Sequence, residues 1–172
     1  MRFVAQPPLS IGVIGVDWEE QAGVGLETGR GAGGFQTGDA GLILEVKDST
    51  GAVVAATSAD WRCQPTYISP LDADQIDCAA DQDSGECGDN ATCFADGNFD
   101  DCYAVHFEES ENWTSSAFDD TSWQAATTYT AAQVTNQTAY QGYTSYFANA
   151  DFIWSSNLNL DNRVLCRGQS VR

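Results

Sequence analysis

Residues 112–129 read Asn-Trp-Thr-Ser-Ser-Ala-Phe-Asp-Asp-Thr-Ser-Trp-Gln-Ala-Ala-Thr-Thr-Tyr, and the fold class turns on this stretch. Trp113 and Trp123 bracket Phe118 and the pair Asp119–Asp120, with Ser and Thr filling the gaps. A regular helix is excluded because Ser, Thr and Asp offer the backbone competing local hydrogen bonds. The pattern predicts a strand end, a tight turn at the two aspartates and a new strand beginning near Trp123. The aromatic rings would anchor that turn to a core.

The same strand-and-turn grammar extends outward. Residues 102–107 alternate as a strand, and residues 125–147 are rich in Thr, Tyr, Ala and Val, which favours strands. Residues 150–154 and 163–167 are the final strands. Upstream, residues 42–47 and 52–57 flank Asp48-Ser-Thr-Gly51, the clearest hairpin of the chain. Residues 57–63 then lead into a loop opened by Pro65 and Pro70. Residues 9–18, Leu-Ser-Ile-Gly-Val-Ile-Gly-Val-Asp-Trp, read as a strand apolar on both faces, after an extended arm at Pro7-Pro8. Eight glycines crowd residues 23–41. Gly29-x-Gly31-x-Gly33-Gly34 imitates a dinucleotide loop, but no helix follows it and no βαβ unit surrounds it. No amphipathic helix of useful length is predicted.

The expected fold is therefore all-β: a jelly-roll-like antiparallel β-sandwich with a disulfide-rich acidic loop insertion and an extended N-terminal arm. Residues 1–18 form the expected arm. Residues 19–172 form one domain, with the insertion at 71–101.

Charge narrows the partners. Twenty-five Asp and Glu face seven Lys and Arg, a net −18. Nucleic acid is excluded as a partner, because phosphate binding needs a basic face. Membrane insertion is not expected either, since no apolar run approaches about 18 residues. Six cysteines, Cys63, Cys78, Cys87, Cys93, Cys102 and Cys166, with no Cys-x-x-Cys pair, predict three disulfides and an oxidising, extracellular setting. Six cysteines allow 15 pairings, and spacing does not choose among them. Asn90, Asn112 and Asn136 each begin an Asn-x-Thr sequon, the acceptor for N-linked glycans. Residues 1–8 lack the apolar segment of a signal peptide, so a secreted protein is expected to start upstream of Met1.

Three features, in order, carry a resemblance. The hairpin at 41–57 is followed by Ser58-Ala-Asp-Trp61-Arg. Trp113 precedes Phe118-Asp-Asp-Thr-Ser-Trp123-Gln-Ala, and a late strand holds Phe152-Ile-Trp154. Together, over residues 41–167, they resemble the galactose-binding-like jelly-roll modules appended to glycoside hydrolases and other secreted proteins. The resemblance implies a β-sandwich and makes carbohydrate binding the default activity, although the matching residues are structural in that family. Cys87-Gly-Asp-Asn-Ala-Thr-Cys93 followed by Cys102 is also similar to a fragment of an epidermal-growth-factor-like module, with too few cysteines for the whole.

The candidate sites follow from side-chain chemistry. Glu108–Glu109 and Asp119–Asp120 are adjacent, and neighbouring acids on a strand point to opposite faces, so they make no working catalytic pair. With His106 the single histidine, no enzyme is expected. Asp96, Asn98 and Asp100 space oxygens at alternate positions as calcium loops do, and Asp81-Gln-Asp83-Ser-Gly-Glu86 is a second such run. A weak structural calcium ion is the one cofactor expected. Sugar stacking would use exposed rings, with Trp18, Tyr140, Tyr143 and Tyr146 as candidates. Trp61, Trp113, Trp123 and Trp154 are expected in the core. The N-terminal segment, with Phe3, Val4, Leu9, Ile11, Val13, Ile14 and Val16, has the composition of a strand donated between subunits. Head-to-tail contacts of that kind do not close and build filaments. The expected function is a structural subunit of a glycosylated extracellular filament, with self as partner. The alternative is a lectin-like module of a secreted protein.

Overall fold

The computed structural model describes residues 4–5, 8–17, 26–27, 36–37, 40–82, 84–88, 91–93, 99–134 and 144–170. In chain order the strands are β1 (Ser10–Val16), β2 (Leu26–Glu27), β3 (Gln36–Thr37), β4 (Glu45–Lys47), β5 (Val53–Ala56), β6 (Arg62–Leu71), β7 (Tyr103–His106), β8 (Gln124–Ala125), β9 (Thr127–Tyr129), β10 (Phe152–Trp154) and β11 (Asp161–Gln169). Among the described residues two short α-helices, α1 (Ile76–Ala80) and α2 (Ala131–Val134), interrupt them. Every strand pair is antiparallel. The fold is all-β, as the turn-and-strand grammar predicts.

One sheet organises the rest, in the order β1-β11-β6-β7, with β8 beside the other end of β6. β11 lies between β1 and β6, and nearly all of it is buried. Its side chains alternate between two cores. Val164 and Cys166 join Trp61, Trp154, Ile153 and Ala126, packed by Ile11, Val13, Leu42, Leu44 and Tyr129. Leu165 points the other way, into Trp113 and Trp123 with Phe118 beside them. Both faces of the sheet are covered at β11, which is why that strand carries apolar residues on both faces. A third cluster, Ile68, Leu71, Leu160, Ala79 and Cys87, seats the cysteine-rich segment on the end of β6. Burial of each large aliphatic side chain contributes about 1.5–3 kcal/mol.

The opposing layer is assembled from short pieces. β9 pairs with β10, Leu42 bridges Ile153, and Thr57 ties the β4–β5 hairpin to Asp151 and Leu44. The hairpin turn works as its residues predict. The Asp48 carboxylate accepts from the Thr50 amide and hydroxyl and the Ala52 amide, while Gly51 takes a φ of +89° that other residues resist.

The 112–129 stretch is correctly non-helical but contains no strand end before its turn. Residues 107–123 form a run of turns, and strand begins only at Gln124. Asp119 accepts from the Thr121 amide and hydroxyl, and the Trp123 amide closes on the Asp120 carbonyl at 2.9 Å. What holds this run against the sheet is Arg167 of β11, whose side chain is only 2% exposed. Its Nε donates to the Asp120 carboxylate at 2.9 Å, its other nitrogens donate to the carbonyls of Trp113 and Ser115, and the guanidinium lies 5.2 Å from the Phe118 ring centre.

Two expectations are corrected. Pro65 and Pro70 lie within β6, the longest strand, and do not open a loop. Pro65 pairs Val164 beside one register shift, and Pro70 falls inside another between Ile68 and Leu71, at ladder irregularities where a missing N–H is tolerated. Residues 130–134 do not continue as strand but enter α2, and Thr144–Phe147 form a 3₁₀ turn; residues 135–143 lie outside the described residues. Thr130-Ala-Ala-Gln133 forms a capping box at α2, with the Thr130 amide and hydroxyl donating to the Gln133 side chain at 2.9 Å. β1 is an integral strand of the main sheet, paired along its length with β11.

The carboxylates in the two turns carry a pH signature. The Thr50 hydroxyl and backbone amides hold Asp48 below the ordinary carboxylate pKa, and the Thr121 hydroxyl and amide do the same for Asp119. A depressed folded-state pKa stabilises at pH above the unfolded value, and that contribution is lost as pH falls through the folded one. Melting temperature should therefore decline below about pH 4. In an Asp48→Asn, Asp119→Asn double variant that decline should be shallower. An unchanged slope in the variant would assign the acid sensitivity to other groups.

Candidate functional site

Three disulfides form from the six cysteines: Cys63–Cys166, Cys78–Cys87 and Cys93–Cys102. The first joins directly opposed residues of β6 and β11 across 103 positions of sequence. The other two close nine-residue spans in the acidic segment. No helix among the described residues is long and apolar enough to cross a membrane.

Three of the acids offered as catalytic or metal candidates, Glu109, Asp119 and Asp120, are occupied by architecture. Glu109 accepts from the Trp113 indole at 3.1 Å and pairs with Arg163. Asp119 caps its turn and Asp120 pairs with Arg167. His106 is exposed and its ring stacks on Tyr67, 4.4 Å between centres. Asp100 is exposed in a single 3₁₀ turn, Phe99–Asp101. Asp96, Asn98 and Asp83 lie outside the described residues. Among the described residues no cluster of three or more His, Cys, Asp or Glu is placed to hold a metal.

Trp61, Trp113, Trp123 and Trp154 are all buried, and Tyr146 is 69% exposed. Trp18, Tyr140 and Tyr143 lie outside the described residues, as do Asn90 and Asn136. Asn112 is exposed in a left-handed turn conformation, φ 58°, which Asn tolerates better than most residues, and Thr114 beside it is exposed too. Its sequon is thus accessible while the intervening Trp113 is buried.

The site with the most unmet capacity is the outer edge of β1. Seven residues, Ser-Ile-Gly-Val-Ile-Gly-Val, pair along one side with β11 from Ser10↔Gln169 to Val16↔Arg163. Among the described residues no strand pairs with the other side. Ile11 and Val13 pack into the core. Ile14 is 45% exposed, Val16 54% and Val4 98%. Phe3 lies outside the described residues, and Leu9 is tied to Ser170 by a backbone bond at 2.9 Å. β1 holds a place in its own sheet, where its odd-numbered residues Ile11, Val13 and Gly15 lie over the core at Trp154. What remains available is its edge.

The direction of that edge follows from its ends. The Leu9 carbonyl accepts from the Ser170 amide, and the Asp17 amide donates to the Asn162 carbonyl. Backbone polar groups alternate sides along a strand, so odd residues bond β11. Ser10, Gly12, Ile14 and Val16 therefore turn their N–H and C=O groups outward. The Cys63–Cys166 geometry agrees. Cys166 faces Val13 in a hydrogen-bonded pair, so its pair with Cys63 is of the narrow type, and the Cα atoms are 4.2 Å apart. Sequence reasoning singled out the apolar residues of this strand but missed Ser10 and Gly12, which matter through their backbones; no local signal marks them, because the pairing with β11 decides which backbone groups face outward.

No protein-family model, curated protein or solved structure matches this chain. The site is read from its own geometry.

Proposed function

We propose that this chain is the structural subunit of a glycosylated extracellular filament, self-associating through the edge of β1, on a jelly-roll-like β-sandwich of the galactose-binding-like kind. One observation carries the reading: a seven-residue apolar edge strand without a charge, a proline or a bulge. Soluble proteins normally blunt such edges with those devices, because an open edge templates another strand. On a chain of net −18, an uncharged edge is also where like-charged copies approach at least electrostatic cost. Three disulfides and the exposed Asn112 sequon suit a durable extracellular assembly. The two-layer antiparallel packing about the Trp61–Trp154 core supports the sandwich assignment.

Negative-stain electron microscopy of natively secreted material should show filaments with a subunit-sized repeat. An Ile14→Glu, Val16→Glu double variant should secrete folded and give dispersed particles. Dispersed wild-type particles would overturn the filament reading and favour the lectin-like one, for which a glycan array comparing wild type with Tyr146→Ala is the next measurement.

A further inference from the structure

We infer that the partner of the β1 edge is the β1 edge of a second copy, paired antiparallel with Val13 on the two-fold axis. The inference rests on the self-association reading above and adds its register and symmetry. Four residues point outward, Ser10, Gly12, Ile14 and Val16, each with one N–H and one C=O. When β1 meets a copy of itself with Val13 opposite Val13, Ser10 faces Val16 and Gly12 faces Ile14, twice each. All four N–H groups and all four C=O groups of each copy are then satisfied.

No neighbouring register does this. Centring on Gly12 sets Val16 against Pro8, which has no N–H to give. Centring on Ile14 carries Ser10 past the end of the partner strand at Val16. The edge is thus self-complementary in one register, and Pro8 ends the ladder one step beyond Ser10.

Side chains agree with the backbone. Even-numbered side chains lie on the Trp113 face, where a Cβ built on Gly12 would come within 2.8 Å of the Trp113 ring. The Trp113 ring therefore covers Gly12 and takes the place of a side chain there. In the Val13-centred register Ile14 of the other copy lies directly opposite Gly12, beside that ring, as cross-strand neighbours do. The exposed Ile14 gains an apolar neighbour, and no charged residue within β1 opposes another. The result is one continuous sheet through two copies. A pair of this kind closes on itself, so a filament using this joint repeats dimers and needs a second contact elsewhere on the chain.

Val13 supplies the decisive test. Its odd-numbered position makes Val13 opposite Val13 a narrow pair, with Cα atoms about 4.5 Å apart, within the range a disulfide spans. Under mild oxidation Val13→Cys should give a covalent dimer that peptide mass mapping joins through position 13 of both copies. Analytical ultracentrifugation should find wild type dimeric at micromolar concentration. Ile14→Pro removes one outward N–H and leaves the bonds to β11 intact, so it should sediment as a folded monomer. Adding it to Val13→Cys should abolish the cross-link. A wild type that stays monomeric at millimolar concentration, or a cross-link through another position, overturns the inference. If filaments form while Ile14→Pro assembles as well as wild type, the filament reading stands and this register falls. If the cross-linked dimer forms but secreted material never polymerises, the reverse holds.

Discussion

Replacing Cys63 and Cys166 together with Ala should cost about 2–5 kcal/mol, the largest loss expected of any bridge in the chain. The bond joins β6 to β11 across 103 residues, and in the chain-entropy account a loop of about 100 residues is worth about 4.7 kcal/mol at 25 °C. The bridges Cys78–Cys87 and Cys93–Cys102 close spans of nine and are worth about 3 kcal/mol or less on the same account. The pair also fills the core between Trp61 and Trp154, so the double variant adds a packing loss. Chemical denaturation under non-reducing conditions measures both. For a chain of this length about 4 kcal/mol corresponds to a fall in Tm of about 10 °C. A smaller loss than on removing Cys78–Cys87 would mean that the β6–β11 ladder alone already restricts the unfolded chain.

Arg167→Ala is the second. Removing one partner of a buried, hydrogen-bonded pair costs about 3–5 kcal/mol, and here one side chain serves Asp120, two carbonyls and the Phe118 ring. Without it the Trp113 and Ser115 carbonyls lose their donor, and residues 113–123 keep the packing of Trp113, Trp123 and Phe118 on Leu165, the Trp113 indole bond to Glu109 and the Arg62 bond to the Trp123 carbonyl. Near-ultraviolet circular dichroism should lose tryptophan signal at a lower denaturant concentration than the far-ultraviolet signal, because the turn run leaves the sheet before the sheet melts. Asp120→Asn should cost less, since Asp120 is partly exposed and an amide oxygen can still accept. If Arg167→Ala cost less than about 1 kcal/mol, aromatic burial alone would be holding the run.

The same residues show why part of the fold was readable and part was not. Asp48-Ser-Thr-Gly51 announces its hairpin because every bond of that turn lies within five residues. Thr130-Ala-Ala-Gln133 announces α2 in the same local way, and the strand-rich composition around it hid the signal. Pro65 and Pro70 argue locally for a loop. They sit in β6 because register shifts against β11 and β7 take up their missing N–H groups, and those partners are far away in sequence. Arg167 reads as an ordinary strand residue until β11 brings it beneath a turn 47 positions upstream.

The candidate site divides along the same line. Composition and period were enough, without coordinates, for an acidic, disulfide-bonded, all-β chain whose residues 10–16 form an uncharged strand apolar on both faces. These are properties of local chemistry and residue count. Tertiary structure alone decided the cysteine pairing, the burial of four tryptophans, and that β1 is an edge among the described residues, with Ser10, Gly12, Ile14 and Val16 turned outward. Whether a strand lies at an edge, and which of its backbone groups remain unmet, depends on its neighbours. The neighbour of β1 is β11, some 150 residues along the chain.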